Sequence, residues 1–203
     1  MKCYLIGGGN NSKVIIDFLL EEKYKILGIF DDNIKKIFTY KDINIIGKIK
    51  DINTINLKTK LFFNTIGCPD IRNIIMNKIK INLLFPNFIH KSCIISDTVK
   101  LGKGNIIYPF TCIQSNTIIQ NHNLINMGTT IGHDVIIGNN NVISPQVSIC
   151  GNIKIENNNF FGTKSCVIPK IKIGSNNIIG SATNIIRNID NNLKYIGNPN
   201  KKI

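Results

Sequence analysis

The sequence predicts an α/β amino-terminal domain of Rossmann-like βαβ type, followed by a β-solenoid of six-residue rungs. Two observations carry this. From Ile89 to Ile185 every sixth residue is large and apolar, seventeen positions without a slip of phase. Before that series, a short apolar strand runs into Gly7-Gly8-Gly9, then into a helical pattern, then into a second strand ending in Asp31-Asp32.

The front part reads in chain order. Cys3 to Ile6 is a strand, and Gly7-Gly8-Gly9-Asn10-Asn11-Ser12 is a turn. Lys13 to Glu22 is a helix with Val14, Ile15, Phe18 and Leu19 on its apolar side. Ile26 to Phe30 is the second strand, Leu61 to Asn64 another, and Pro69 to Ile79 a second helix. Acidic residues about 22 positions after the glycines fit a small βαβ nucleotide unit. The glycines alone fit a plain turn as well as a binding loop, because Ser12 stands where the full fingerprint has Gly. The unit, residues 1–85, is also short for a dinucleotide.

The second part, 86–203, follows from its period. Six steps at about 100° per residue advance 240°, so the series makes no stripe on a helix. In an extended chain six is an even step and keeps one face. A strand of that length cannot exist in a compact protein, so the chain must turn at regular intervals with the same residue inward. Glycines follow several inward residues (Gly102, Gly132, Gly138, Gly174, Gly180), where a left-handed corner is expected.

Bulk properties bound the function. No apolar run is long enough for a membrane span, and Met1 to Gly9 is too short for a signal peptide, so a cytoplasmic protein is expected. The six cysteines show no CxxC pair and no metal-like spacing with the three histidines; they read as reduced core residues, with no metal. The net charge of +13 suits an acidic ligand such as coenzyme A or a nucleotide, or reflects a Lys-, Asn- and Ile-rich composition. Its lysines are scattered and not interleaved with aromatics, which argues against nucleic acid.

Several markers together resemble one family: the GGG loop with Lys13-Val14, Gly28 to Asp32, Ile66-Gly67 with Arg72, Ile89-His90-Lys91-Ser92, Ile125-Asn126, Gly132-His133-Asp134 and Gly197-Asn198-Pro199. The chain resembles the bacterial hexapeptide-repeat sugar acetyltransferases, which include nucleotide-linked 4-amino-sugar N-acetyltransferases and sialic acid O-acetyltransferases. The resemblance implies a left-handed parallel β-helix with three hexads per coil, hence eighteen residues per turn and a little over five coils. It also implies a homotrimer with active sites between subunits, and acetyl-CoA as co-substrate. For the front domain it implies nucleotide contacts at Gly9, Asn10, Asn11, Asp31, Asp32, Gly67 and Arg72. Asn10-Asn11 replaces the family's Gly-His; Asn10 can take a positive φ, while Asn11 can donate a hydrogen bond but cannot charge as His would.

Acetyl transfer needs a base, an oxyanion donor and two binding surfaces. His133, on a corner two residues past inward Ile131, is the expected base, and Asp134 its partner or else a solvated corner residue. Adding eighteen to 133 gives Gly151, whose N–H is the candidate oxyanion donor. Asn126 resembles the family's acceptor-binding Asn, or is a ladder residue of the solenoid. For coenzyme A the candidates are Thr163, Lys164, Gly180 and Ser181. Val142 occupies the position where some relatives place a second cofactor-contacting His. His90 is expected to pack or cap, and neither it nor His122 to catalyse. The reading is an acetyl-CoA-dependent N-acetyltransferase acting on a UDP- or dTDP-linked 4-amino sugar in surface glycan synthesis. The alternatives are O-acetylation of sialic acid and a non-catalytic scaffold.

Overall fold

The computed structural model describes residues 1–33, 39–198 and 201–203. The chain forms two compact units, Met1–Pro86 and Asn87–Ile203.

In the front unit, β1 (Lys2–Ile6) leads to α1 (Asn10–Glu21) and β2 (Lys25–Phe30). A small hairpin follows, β3 (Thr39–Tyr40) and β4 (Ile43–Gly47), then a 3-10 turn at Ile49–Asn53. The unit closes with β5 (Phe62–Asn64) and α2 (Pro69–Lys78). The sheet order is β3-β4-β2-β1-β5. All neighbours are parallel except β3 and β4, so β1 lies between two parallel partners and is buried from Cys3 to Ile6. Burial pushes the Cys3 thiol up to about 12, which keeps it protonated and unreactive. The other five cysteines are half-buried and not full core residues as expected.

Helix α1 starts three residues earlier than the sequence suggests. Gly9 caps it with extended backbone and no side chain. Asn10 therefore opens the helix and does not take the positive φ open to it in a loop. Ser12 is fully buried and its hydroxyl donates to the Gly9 carbonyl, which is why a polar residue is tolerated where the fingerprint has Gly.

The second unit is a parallel β-helix. Seventeen two-residue strands run from Phe88–Ile89 to Asn184–Ile185. Each strand up to Cys166–Val167 pairs with the strand eighteen residues on, as in Ile113↔Ile131, Ile131↔Ile149 and Ile149↔Val167. From Ile107 to Ile185 the inward series is at most 2% exposed. Its first members depart from expectation: Ile89 is 40% exposed and Ile95 and Leu101 are half-buried, because the first coil has no preceding coil of the prism stacked on it.

From Asn105 on, each rung also buries the residue two positions before the inward one. At one corner that residue is asparagine five times over, at 105, 123, 141, 159 and 177, all fully buried. Asn105 to Asn159 are satisfied by one another and by nearby carbonyls, while the Asn177 amide nitrogen, in the last coil, has no partner among the described residues. Asn123 N–H donates to Asn105 Oδ1 at 2.9 Å, and Asn123 Nδ2 donates to the Gly138 carbonyl at 2.9 Å. Asn141 repeats the pattern against Asn123 and Glu156. Buried amides are tolerated here because their partners are built in.

The corner glycines are needed for space, not for handedness. The left-handed residues sit two positions further on, among them Asn116, Asp134, Asn140, Asn152 and Lys164. A Cβ on Gly132 would lie 2.7 Å from the Cys150 carbonyl carbon and from the Gly151 nitrogen. The last coil is shorter: Ile173 bridges Ile189, and Asn191 Oδ1 accepts from Ser175 N–H across sixteen residues. Lys194–Ile196 then pairs with the coil before it, and Lys201–Lys202 turns back antiparallel. Pro199 of the expected closing tail lies outside the described residues.

Candidate functional site

His133 and Asp134 share a turn, not a strand, so the opposite-face rule for strand neighbours does not separate them. Asp134 has φ +57°, which folds its carboxylate back onto the ring. His133 Nδ1 lies 2.7 Å from Asp134 Oδ2, with both side chains about half exposed. A carboxylate only accepts, so Nδ1 carries the proton and the neutral ring presents Nε2 as a free base. The imidazole hydrogen bond, and then the Asn116 amide, hold the Asp134 carboxyl below its ordinary value.

Gly151 lies one coil beyond, under the ring. A Cβ there would fall 2.7 Å from His133 Nε2 and 2.8 Å from Cε1, so only glycine leaves room for the imidazole. At the next corner of the same coils, the N–H groups of Lys103, Asn121 and Asn139 donate to the side chain eighteen residues on. Eighteen beyond Gly151 stands Pro169, which has no side-chain acceptor. Among the described residues the Gly151 N–H donates to none. The corner thus places a free base nitrogen beside a free backbone donor.

The remaining candidates of the prism lie elsewhere. Asn126, Thr163, Lys164, Gly180 and Ser181 all fall at the corner one rung before that of His133, spread over four coils. Gly180 is three coils beyond Asn126 in the same column, and Ser181 one beyond Thr163. Asn126 stands outside the buried asparagine ladder, and its Oδ1 accepts from Met127 N–H at 2.9 Å. Lys164 takes the left-handed position, with its N–H on the Pro145 carbonyl. Val142 is a strand residue 4% exposed between Leu124 and Phe160, so as a cofactor contact it offers no polar atom and little surface. One chain does not bring the two corners together. His90 caps its corner: Nδ1 accepts from Ser92 N–H at 3.2 Å.

In the front unit a cavity of about 500 Å³ opens at the carboxyl ends of the parallel strands, where nucleotide-binding α/β sheets place their ligands. Gly9, Asn10, Asn11, Asp31, Asp32 and Gly67 line it. Gly9 and Gly67 each face open space where a side chain would project. Asp31 accepts from Gly8 N–H at 2.6 Å and Asn33 N–H at 2.8 Å, which fixes the glycine turn. Asn11 donates to the Thr65 carbonyl at 2.9 Å and ties α1 to the end of β5. Partial burial raises the Asp32 carboxyl, but Lys78 at 3.0 Å and the Ile49 N–H outweigh it, and its pKa lies below the ordinary value.

Arg72 does not line this cavity. It is fully buried, and its guanidinium donates to the carbonyls of Asn64 (3.2 Å) and Ile66 (2.8 Å). It holds the loop that carries Gly67. Sequence reasoning missed Lys78, which neither a motif nor a spacing marks. It also missed Asn116, although subtracting eighteen from 134 points to it. Among the described residues no three His, Cys, Asp or Glu side chains gather as a metal site, and no helix is long and apolar enough to cross a membrane.

Comparison with known proteins agrees with this architecture. Residues 2–79 match the PglD N-terminal domain family. PerB of Caulobacter crescentus, solved with CoA and GDP-perosamine, has a TM-score of 0.90 at 23% identity, over 100% of this chain and 97% of that one. The acetyltransferase domain of PglB from Neisseria gonorrhoeae has a TM-score of 0.89 at 22% identity, over 100% and 99%. WeeI of Acinetobacter baumannii has a TM-score of 0.86 at 19% identity, over 100% of both chains. An uncharacterised protein of Acanthamoeba polyphaga mimivirus is 40% identical over 104 residues, 51% of this chain and 20% of that one. The match thus spans about a fifth of the length of that curated relative. The class is therefore a Rossmann-like domain followed by a left-handed parallel β-helix. In particular, the fold is that of PerB and of the PglB acetyltransferase domain, with a front unit that matches the PglD N-terminal domain family.

Proposed function

We propose that the protein transfers the acetyl group of acetyl-CoA to the amine of a nucleotide-linked 4-amino sugar, for surface glycan synthesis. The observation that carries this is the corner where His133 Nε2, freed by the Asp134 bond to Nδ1, lies against Gly151. As the sugar amine attacks the thioester carbonyl, Nε2 takes the proton the amine loses, and Asp134 steadies the imidazolium. The carbonyl oxygen becomes an oxyanion beside the Gly151 N–H. Collapse expels the coenzyme A thiolate, which recovers the proton from His133.

The front cavity takes the nucleotide. Its carboxylate at Asp32 and its backbone at Gly9 and Gly67 offer both acceptors and donors to a base and diphosphate. The expected carriers are UDP and dTDP. GDP joins the panel because PerB was solved with GDP-perosamine. Coenzyme A runs along the corner of Thr163, Lys164, Gly180 and Ser181. Because that corner and the His133 corner are separate on one chain, the donor site of one copy faces the base of a neighbour, and a homotrimer closes the ring.

The test is free-thiol release from acetyl-CoA against UDP-, dTDP- and GDP-4-amino sugars, with sialic acid as the O-acetyl control and His133→Ala alongside. Turnover on an amino sugar that falls by about 10²- to 10⁴-fold in the variant is expected. Turnover on sialic acid alone, or turnover indifferent to His133→Ala, overturns the proposal.

A further inference from the structure

The catalytic corner contains a group that neither the fold class nor the His-Asp pair accounts for. Asp134 uses Oδ2 for His133, and its Oδ1 accepts from Asn116 Nδ2 at 3.3 Å. Asn116 lies one coil before Asp134 in the same column. Its own N–H donates to Thr98 Oγ1 at 2.9 Å, one coil earlier again. A line of hydrogen bonds therefore runs down three coils, from Thr98 through Asn116 and Asp134 to the imidazole. Behind Asp134 in this column stands Asn152, whose N–H goes to the His133 carbonyl.

We infer that Asn116 is a positioning residue for the base: it holds the Asp134 carboxylate so that Oδ2, not solvent, meets His133 Nδ1. This rests on the reading of His133 as the base. The physical need is plain. Asp134 is half exposed, and an exposed carboxylate on a turn otherwise samples several rotamers. Each excursion frees Nδ1 and lets the ring's proton move to Nε2, which removes the base. A second bond to Oδ1 fixes the carboxylate plane. The competing explanation is conformational: Asn116 has φ +60°, a backbone that asparagine tolerates well.

Substitution separates the two. Asn116→Gly keeps the left-handed backbone without strain and removes only the amide. The direct readout is the tautomer of His133, followed by ¹⁵N and ¹H resonances of the ring in protein without substrate. Other titratable groups near this corner are Asp97 and Lys170, two coils away on either side, and Cys150 on the adjoining coil; all are unchanged in the variant. Expected are a fall in the Nδ1–H tautomer fraction and about a fivefold lower kcat at unchanged acceptor KM. An unchanged tautomer in the folded variant overturns the inference and leaves Asn116 as a corner residue. If Asn116→Gly does not fold, Asn116→Asp keeps shape and backbone while offering Asp134 no donor. Loss of the Nδ1–H tautomer is expected there too, and its retention overturns the inference. The spectra need no turnover. A protein inactive on every acceptor that still loses the tautomer sinks acetyl transfer and keeps the positioning role.

Discussion

The two units place their polar residues by different rules. In the front unit the cavity gathers Gly9 to Asn11, Asp31 to Asn33, Thr65 to Cys68 and Lys78. These segments are dispersed along the chain and are brought together by sheet order. In the prism, position follows from arithmetic: residues eighteen apart stack, and Asn116, Asp134 and Asn152 form one column. The first arrangement tolerates change in the connections. The second fixes every later coil through each earlier one.

The sharpest way to break that comparison is insertion. One extra residue between Ile137 and Ile143 puts every later rung out of phase, so the prism is expected not to fold, read as loss of soluble protein and of its β circular dichroism. One extra residue in the front-unit loop after Asn53 costs under about 1 kcal/mol, read by thermal melting. Equal tolerance of the two insertions would remove the distinction.

Truncating the buried ladder probes the prism more gently. Asn141→Ala strands the partners of its amide, among them the Glu156 carbonyl and the Asn159 N–H. A loss of about 2–4 kcal/mol is expected from denaturant unfolding, against less than about 1 kcal/mol for exposed Asn152→Ala controlled for its left-handed backbone by Asn152→Gly.

Gly67→Val sharpens the comparison from the front side. No atom lies within 4 Å of a Cβ there, so the fold persists while the branched side chain enters the cavity. The acceptor KM is expected to rise at least about tenfold, with kcat at saturation and the acetyl-CoA KM little changed. An unaltered acceptor KM would remove the cavity from the substrate site.

The smallest effect is electrostatic. The folded Asp32 pKa lies below its unfolded value, so its contribution is present above the ordinary carboxylate range and is lost as pH falls through the lowered folded value. Because the Asp32–Lys78 pair is about half exposed, the change is under about 1 kcal/mol. Thermal melting of wild type and Lys78→Met is expected to converge as that range is crossed downward.

How much of this could be read from the chain differs in the same way. The period gave the coil, the inward series and the neighbour of His133, because stacking at eighteen leaves no freedom. The same subtraction reaches Asn116, and the five asparagines spaced by eighteen spell out the buried ladder. In the front unit the strands and glycines were legible but their environment was not. Arg72 is expected as a nucleotide contact, yet it is fully buried and donates to two loop carbonyls. Charged residues are seldom interior without such partners. Helix α1 began early because Gly9 caps it without a side chain to mark the start. The β3–β4 hairpin was missed because Ile43–Gly47 is too short a run to announce a strand.

The asparagine ladder and the strand registers repeat without regard to what lies at either end. A coil is therefore a unit of length. Duplicating eighteen residues beyond the His133 corner would extend the prism by about 4.8 Å and leave His133, Asp134 and the first coils untouched. The distance from the His133 corner to the far end of the prism is set by counting coils, so length can be altered in whole steps while that corner stays fixed.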